Sequence, residues 1–434
     1  MKTVAFYTLG CKVNQYETDA MAEIFRNKGY EVIDSEEKSD IYVINTCSVT
    51  NLGERKSRQF IRRSKKTNPQ AVICVVGCYA QISPEEVINI EGVDLILGTK
   101  DKNRIVDLCE EAGRENKKIN AVENIMKTTK FEEMSSNSIQ ENTRAYIKIQ
   151  EGCNQFCSYC IIPYARGPIR SRELKNIINE AKALVEKGFK EIVLTGIHVA
   201  SYGKDLGDNR LIDVIEEVHK IEGLKRIRLS SIEPTLITDE FMNRLTKLNK
   251  ICPHFHLSLQ SGSDTVLERM NRKYNTDDYR ERVQLIRKYM KDAAITTDII
   301  VGFPSESEIE FQQTYNFVKE IKFAQVHVFK YSPREGTPAA KHNNQVHGSV
   351  KNDRSKKLTD LVEKQAKMFM EDFLNTSRGI LVETESRKPG YVEGYTDNYI
   401  RVLVKGSKDL QNEIINVKLR RIEDNNILGE IVNK

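Results

Sequence analysis

The sequence lacks any stretch that would carry it into or across a membrane. No apolar run approaches the roughly 18 residues that a membrane span needs, and the start, MKTVAFYTLG, contains no apolar core of a secretory signal. With 30% charged residues and a mean hydropathy of −0.50, the 434-residue chain has the composition of a soluble protein. We therefore expect a cytoplasmic, multidomain α/β protein with no membrane partner.

Cysteine and net charge are also scarce. The chain has 9 cysteines, which are too few, and odd in number, for a disulfide scaffold. Clustered thiols in a reducing compartment more often hold metal or do chemistry. The net charge is only +5, so any nucleic-acid surface has to come from local patches and not from the overall charge.

One segment does concentrate cysteine. Cys153, Cys157 and Cys160 are spaced C-x3-C-x2-C after a predicted strand, and no Cys or His follows until His198. Zinc and ferredoxin sites normally have four protein ligands. Three thiolates without a fourth favour an iron–sulfur cluster with one open iron, and the alternatives are a zinc loop with a distant fourth ligand or cysteines that hold no metal. With Tyr159 before the last cysteine, the segment resembles the radical S-adenosylmethionine (SAM) superfamily, in which SAM binds the open iron.

Three more cysteines follow predicted strands near the N-terminus. Residues 1–115 alternate short apolar strands with helical patterns, which predicts a parallel α/β domain. Cys11, Cys47 and Cys78 each come just after one of these strands. Because ligands bind beyond the carboxyl ends of parallel strands, we expect the three thiols to converge and to hold a second iron–sulfur cluster. The alternative is that they are small buried core residues.

A basic segment lies beside the Cys47 loop. Arg55, Arg58 and Arg62 belong to the run ERKSRQFIRRSKK, which has a single acidic residue. The run is either a solvated helix face or a contact with RNA phosphates. Residues 116–143, which follow the N-terminal domain, are polar and irregular, and this predicts a linker.

Residues 144–370 carry six further strand patterns with helical segments between them. This alternation predicts an open, partial (β/α)6 barrel with its active site at the carboxyl ends of the strands. Glu233 and Gln260 are placed to accept hydrogen bonds from the SAM amino group or ribose. The full set of SAM-binding candidates is Tyr159, Gly196, Glu233, Gln260 and Asp298. The alternative for each is a strand-end position with no role in binding.

The last part of the chain, residues 371–434, contains five short β-branched runs separated by turns. This pattern predicts a small OB-like β-barrel, an architecture that often binds RNA. Its charge is nearly balanced, so RNA binding would depend on single side chains. The candidates are Arg420 and Arg421, together with Tyr391, Tyr395 and Tyr399.

Several motifs in this order resemble the methylthiotransferase family over essentially the whole chain, and the family's C-terminal barrel is called a TRAM domain. The motifs are GCKVNQYE, NTCSVT, GCYAQ, EGCNQFCSYCIIPYARGPIRSR, LTGIHVASYG, HLSLQSGSD and YSPREGTPAA. They look most like the branch that acts on N6-threonylcarbamoyladenosine beside the anticodon of tRNA. One departure is Ser305, where the family usually has glycine.

The resemblance implies two [4Fe-4S] clusters and SAM as cofactors. The barrel cluster would generate a carbon radical, and the N-terminal cluster would present methylated sulfur to carbon 2 of the adenosine at position 37. The implied partners are the tRNA anticodon loop, whose bases can be splayed out, an electron donor and a sulfur source. Arg166, Arg170 and Arg172 would bind the RNA or the threonylcarbamoyl carboxylate, or form structural salt bridges.

Two other functions fit the same residues. The first is the same sulfur insertion into isopentenyladenosine of tRNA or into a ribosomal protein, although those branches differ after the Arg-Gly step, where this chain has Gly167-Pro168. The second is a non-catalytic RNA-binding protein whose cysteines hold zinc or sense redox state.

Overall fold

The computed structural model describes residues 1–48, 51–115, 117–135, 143–207 and 210–432. Residues 116 and 136–142 of the predicted linker lie outside the described residues. No helix in the described part is long and apolar enough to cross a membrane. The predicted domain boundaries at residues 115, 143 and 370 stay predictions.

The N-terminal part is a parallel sheet covered by helices on both faces. Its strands are β1 (Thr3–Thr8), β2 (Glu31–Ile33), β3 (Ile41–Thr46), β4 (Val72–Gly77), β5 (Leu95–Leu97) and β6 (Ile119–Asn120). Its helices are α1 (Lys12–Asn27), α2 (Asn51–Thr67), α3 (Cys78–Ile82), α4 (Pro84–Ile88) and α5 (Ile105–Glu115). The strand order is β2-β1-β3-β4-β5-β6, which confirms the predicted parallel α/β architecture. Strand β3 is buried along its whole length, as expected for a parallel strand between two helical layers.

The central part is a partial barrel of six parallel strands. They are β7 (Arg144–Glu151), β9 (Glu191–Gly196), β10 (Arg226–Leu229), β11 (His254–His256), β12 (Ala294–Val301) and β13 (Gln325–Lys330), and the short β8 (Arg170–Ser171) runs antiparallel beside β7. The sheets β10-β9-β7-β8 and β11-β12-β13 are joined by single parallel bridges, Ile227 to Ile251 and Ile232 to Leu257. The predicted partial (β/α)6 barrel is confirmed.

Helices surround the outside of this barrel. They are α7 (Leu174–Glu186), α8 (Leu211–His219), α9 (Asp239–Leu245), α10 (Asp264–Arg269), α11 (Thr276–Tyr289), α12 (Glu308–Ile321) and α13 (Gly348–Glu371). The short α6 (Ile162–Arg166) instead packs against α3 of the N-terminal part. In β7, Ala145, Ile147 and Ile149 pack in the core that also contains α7 residues. Side chains alternate across a strand, so the polar Arg144, Tyr146, Lys148 and Gln150 face the barrel interior, here called the lumen.

Helix α1 of the N-terminal part covers the lumen face of β7. It packs against β7 and β9, and its Glu17 pairs with the lumen-facing Lys148 at 3.0 Å between Nζ and Oε1. The helix begins at Lys12, directly after Cys11. The N-terminal thiols are therefore attached to an element that already faces the barrel interior.

The C-terminal part is a small closed barrel, as predicted. Its strands are β14 (Ser377–Glu385), β15 (Tyr391–Thr396), β16 (Arg401–Lys405), β17 (Ile414–Glu423) and β18 (Asn426–Ile431), in the closed order β14-β15-β16-β18-β17. Arg226, the first residue of β10, donates from Nη2 to the Gly379 carbonyl at 2.7 Å, and Arg144, the first residue of β7, donates from Nη1 to Tyr399 Oη at 3.0 Å. The small barrel thus closes the amino ends of the central strands, opposite the Cys153 loop.

Candidate active site

The barrel thiols lie on the loop between β7 and α6. Cys153 donates its backbone N–H to the Gly167 carbonyl at 3.0 Å, and Cys160 donates to the Cys157 carbonyl at 2.9 Å. Gly152 has φ +74°, and a Cβ there would lie 1.9 Å from the Pro168 carbonyl oxygen, so only glycine fits. These contacts hold the three thiols on one compact loop.

The chemistry of the barrel thiols fits metal ligands. Burial raises the pKa of Cys153 to about 11 and that of Cys160 to about 12, and the charges of Cys153 and Cys157 both act on Cys160. Cysteine ligates metals as the thiolate, so metal binding would remove these protons. The set of three sulfur donors fits an iron–sulfur cluster with one position left for SAM.

The N-terminal thiols converge at the carboxyl edge of the first sheet. Cys11 follows β1, Cys47 follows β3 and Cys78 follows β4, and these three strands are neighbours in the sheet. A Cβ on Gly10 would lie 3.0 Å from Cys47 Cβ, and the charges of Cys11 and Cys47 both act on Cys78. Burial raises the pKa of Cys78 to about 12. Within the described residues, no group of three or more His, Cys, Asp or Glu side chains is arranged to hold a single metal ion.

Arg166 and its neighbour Gly167 together contact both cysteine sets. Arg166 ends α6, just after the barrel cysteines, and its side chain is fully buried. Its Nε donates to Cys78 Sγ at 3.2 Å, and its Nη2 donates to Asn14 Oδ1 at 2.6 Å. The next residue, Gly167, receives the Cys153 N–H. One short segment of the barrel therefore contacts both cysteine sets.

Arg166 is also part of a buried ion network between the N-terminal part and the barrel. Its Nη1 lies 2.6 Å from Glu17 Oε1 and 3.3 Å from Glu151 Oε1. Lys148 pairs with both carboxylates, and Lys102 lies 3.5 Å from Glu17 Oε1. Burial alone would raise the pKa of Glu17, but the three cations hold it well below the ordinary value. Three buried cations thus face two buried carboxylates.

The predicted roles of Arg166, Arg170 and Arg172 in binding RNA or a substrate carboxylate stay predictions, and their surroundings do not favour them. All three are buried. Arg170 donates from Nη1 to the Arg166 and Pro168 carbonyls at 3.0 and 2.9 Å. Arg172 pairs with Glu180 and Glu133. These contacts agree with the alternative, structural salt bridges and hydrogen bonds, because buried guanidinium groups need partners within the protein.

Among the SAM-binding candidates, Glu233 is held by two neighbouring side chains, Arg272 and His198. Its carboxylate is buried and pairs with Arg272, whose Nη2 lies 3.1 Å from Oε2, while His198 Nε2 lies 3.5 Å from the same oxygen. Burial alone would raise the pKa of Glu233, but the His198 hydrogen bond and the Arg272 charge lower it. Arg272 also donates from Nη1 to Cys157 Sγ at 3.3 Å. Glu233 is therefore a carboxylate close to the barrel cysteines.

The other SAM candidates are spread around the same end of the barrel. Gln260 has φ +73° and donates its backbone N–H to the Asp298 carbonyl at 2.9 Å. Asp298 Oδ2 lies 3.3 Å from His256 Nε2. A Cβ on Gly196 would lie 2.8 Å from the Gln150 carbonyl oxygen, so glycine allows β9 to approach β7. Tyr159 packs against a separate apolar cluster. Their roles in SAM binding stay predictions.

Lys12 is a cation that the sequence reasoning missed. It lies on the helix that covers the lumen and keeps contact with solvent. Its charge acts on His254 and His327 of the barrel strands. Burial and the charges of Arg144 and Arg228 lower the pKa of Lys12 to about 8. Within the part of the chain that the structure describes, the Lys12 ammonium forms no ion pair. The feature of the sequence that points to Lys12 is its position directly after Cys11.

The RNA-binding candidates outside the cysteine loop lie at the surface. Arg55 and Arg62 are exposed on α2, while Arg58 donates from Nη1 to Tyr79 Oη at 2.7 Å and to Glu86 Oε1 at 3.1 Å. In the C-terminal barrel, Arg420 pairs with Glu430, and Arg421 lies 3.3 Å from Glu423. Their roles in RNA binding also stay predictions.

Comparison with known proteins identifies the family to which this chain belongs. The model of the Radical SAM superfamily matches residues 147–318, and that of the Uncharacterized protein family UPF0004 matches residues 3–98. The chain is 48% identical to the Threonylcarbamoyladenosine tRNA methylthiotransferase MtaB of Bacillus subtilis, over 96% of this chain and 94% of that protein. It is 41% identical to the protein of the same name from Aquifex aeolicus, over 94% and 98%.

More distant relatives extend the comparison. A tRNA-2-methylthio-N(6)-dimethylallyladenosine synthase of Geobacillus thermodenitrificans is 36% identical, over 98% of this chain and 83% of that protein. Among solved structures, the radical SAM methyltransferase TsrM of Kitasatospora setae has a TM-score of 0.60 at 14% identity, covering 78% of this chain and 77% of that one. This structural similarity supports the fold alone.

Membership of this family indicates the type of reaction that the enzyme catalyses and some of its cofactors. Radical SAM enzymes use SAM and a [4Fe-4S] cluster, and the relatives at 36–48% identity are named as methylthiotransferases or as a synthase of a 2-methylthio adenosine in tRNA. The cysteine loop, the partial barrel and the small C-terminal barrel agree with this family. The chain belongs to the radical SAM methylthiotransferase family.

Proposed function

We propose that this enzyme converts N6-threonylcarbamoyladenosine at position 37 of tRNA into its 2-methylthio derivative. The names of the relatives at 48% and 41% identity support this substrate. The observation that carries the proposal is the position of Arg166 and Gly167, which contact Cys78 of one thiol set and Cys153 of the other. Because one segment contacts both cysteine sets, the sets lie close enough together to serve a reaction that uses two clusters.

Each cysteine set would hold one [4Fe-4S] cluster. The barrel cysteines are Cys153, Cys157 and Cys160, and the N-terminal cysteines are Cys11, Cys47 and Cys78. The excess of buried positive charge around Arg166 supports an anionic group at Cys78, because an unbalanced buried charge is costly. When bound, the two clusters and SAM would supply a carbon radical and a methylated sulfur atom. An electron donor and a sulfur source complete the proposed set of partners.

The protein's own residues would hold the reactants in the lumen. Glu233 offers a carboxylate near the barrel cysteines for the amino group of SAM. Helix α1 and the C-terminal barrel close two sides of the lumen, which limits access of water to reactive species. The exposed Arg55 and Arg62 on α2 would contact the phosphates of the anticodon loop.

Lys12 would bind the carboxylate of the threonylcarbamoyl group. Carbon 2 and carbon 6 of adenine are both bonded to N1, so the N6 substituent lies close to the carbon that receives sulfur. A cation for its carboxylate must therefore lie near the N-terminal thiols. Lys12 follows Cys11, reaches the lumen and forms no ion pair within the described residues. Arg166, Arg170 and Arg172 are buried and engaged elsewhere.

The test is nucleoside mass spectrometry of anticodon stem–loop RNAs after incubation with the iron- and sulfide-loaded enzyme, SAM and a chemical reductant. RNA with threonylcarbamoyladenosine is expected to gain the 2-methylthio group, and RNA with isopentenyladenosine is not. Cys78→Ala should abolish the product, whereas replacing Cys74, a buried residue of the strand β4 that precedes Cys78, with alanine should retain most of it. Product on the isopentenyladenosine RNA alone would contradict the proposed substrate.

A further inference from the structure

Each cysteine set receives a hydrogen bond from one buried arginine. Arg166 Nε donates to Cys78 Sγ at 3.2 Å, and Arg272 Nη1 donates to Cys157 Sγ at 3.3 Å. Neither arginine is itself a candidate metal ligand. Both guanidinium groups are held by carboxylates, Arg166 by Glu17 and Glu151, and Arg272 by Glu233. The two contacts have the same chemistry but belong to separate networks.

Such contacts act on the electron affinity of a cluster. The reduced state of an iron–sulfur cluster carries one more negative charge than the oxidised state. A hydrogen bond to a ligating sulfur and a nearby positive charge both stabilise the reduced state more, and they therefore raise the reduction potential. The effect is large in a buried site, because charge is poorly screened there.

The surroundings of the two arginines differ in net charge. Arg166 and two other buried cations, Lys102 and Lys148, share two carboxylates, and Arg170 adds a further buried cation nearby. Arg272 is matched by the single carboxylate of Glu233. The positive charge near Cys78 is thus less compensated than that near Cys157.

We propose that Arg166 and Arg272 are positioning residues that set the reduction potentials of the two clusters separately, Arg166 for the N-terminal cluster and Arg272 for the barrel cluster. The Arg166 half of the proposal rests on the proposed second cluster. Removing the arginine should shift the potential of its own cluster to a more negative value and leave the other unchanged. The shift should be larger for Arg166, because its charge is less compensated.

The test uses full-length protein in two cysteine backgrounds. Replacing Cys153, Cys157 and Cys160 with alanine leaves only the N-terminal cluster, and replacing Cys11, Cys47 and Cys78 leaves only the barrel cluster. Arg166→Met and Arg272→Met are then introduced into each background. The midpoint potential is measured by redox titration monitored by electron paramagnetic resonance. We expect each methionine variant to shift only the cluster whose thiolate it contacts.

Lysine variants distinguish the effect of the positive charge from that of the arginine hydrogen bond. They also control for a loss of folding in the methionine variants. Arg166→Lys and Arg272→Lys keep the charge, and we expect them to recover part of the shift. Unchanged potentials, or equal shifts of both clusters in each variant, would overturn the inference. If the N-terminal background binds no iron at all, the second cluster and the Arg166 half fail together, and the Arg272 half is decided in the other background.

Discussion

The cations near the two thiol sets differ in their surroundings, and this difference underlies the roles proposed for them. Three arginines are buried and donate hydrogen bonds to other groups of the protein: Arg166, Arg170 and Arg172. Lys12, the first residue of α1, is exposed and forms no ion pair within the described residues. A substrate carboxylate can therefore approach Lys12, while approaching the three arginines would require breaking buried ion pairs.

The substitution Lys12→Met should remove the preference of the enzyme for the threonylcarbamoyl group. A charge-assisted hydrogen bond is worth roughly 1.5–3 kcal/mol, so the wild type should bind a stem–loop with this group at least about tenfold more tightly than one with plain adenosine. Lys12→Met should lose most of that ratio and Lys12→Arg should keep it. Dissociation constants of the two RNAs measure the effect.

The control for this prediction is Lys28→Met, at the other end of the same helix, where Lys28 lies 3.5 Å from Asp107. It should leave the ratio unchanged. If the wild type shows no preference, the substrate assignment fails. If Lys12→Met keeps the full preference, the assignment stands and the role of Lys12 is refuted.

The six proposed cluster ligands could be identified from sequence, and the partners of the arginines could not. Cys11, Cys47 and Cys78 follow strands of one parallel sheet, so topology brings them together once the strands are recognised. The acids that hold Arg166 and Arg172 include Glu17 and Glu180, which are distant in sequence or on another element. No local pattern distinguishes a buried arginine from an exposed one, and for this reason the sequence does not reveal that these arginines have partners within the protein.

At the scale of elements, α1 is the part that joins the N-terminal sheet to the barrel. It begins after Cys11, and its Asn14, Tyr16 and Glu17 all contact barrel residues. The alternation of strands and helical patterns over residues 1–115 predicts helices in this part, but a helical pattern does not reveal which face of a helix meets another domain. The contacts come from barrel residues more than a hundred positions away.

The substitution Glu17→Gln should strongly destabilise the protein. It leaves Arg166, Lys148 and Lys102 with one carboxylate in a buried site, and breaking such a network typically costs about 3–5 kcal/mol. Glu23→Gln on the same helix should cost at most about 1 kcal/mol, because its partner Arg26 is partly exposed. Urea unfolding followed by circular dichroism measures both. Equal effects of the two substitutions would contradict the importance of the network.

The contact between the two barrels depends on a few aromatic and cationic side chains. The ring of Tyr399 stacks on His254 with centroids 4.6 Å apart, and the Arg228 guanidinium lies 4.7 Å from the Tyr399 centroid. The ring of Tyr395 also stacks on Tyr399, with centroids 4.8 Å apart. These two tyrosines were candidates for RNA contact, and in the structure they pack at the junction of the barrels.

The substitution Tyr399→Leu should loosen this junction without unfolding either barrel. It removes the stacking and cation–π contacts, which are worth roughly 0.5–2 kcal/mol each. We expect faster hydrogen exchange in β10 and at the turn between β15 and β16, with the cores of both barrels unchanged. Tyr391→Leu, away from the junction, should leave the exchange of β10 as in the wild type. An unchanged exchange rate in Tyr399→Leu would show that other contacts hold the barrels together.

On the scale of the whole molecule, three parts surround one lumen. The N-terminal sheet places its thiols beside the barrel loop, and α1 covers the lumen face of β7. The C-terminal barrel closes the amino ends of the strands. The sequence predicted each of these architectures, but their mutual arrangement depends on contacts between distant residues. This arrangement gives the proposed sulfur transfer a common site.

The most direct test of the account is the iron and sulfide content of anaerobically prepared protein. The wild type should contain about eight irons per chain, from two four-iron clusters. Replacing Cys153, Cys157 and Cys160 with alanine should leave about four, and so should replacing Cys11, Cys47 and Cys78. Zinc in place of iron, or an iron content that does not change when the N-terminal cysteines are removed, would contradict the claim that the two thiol sets hold two clusters.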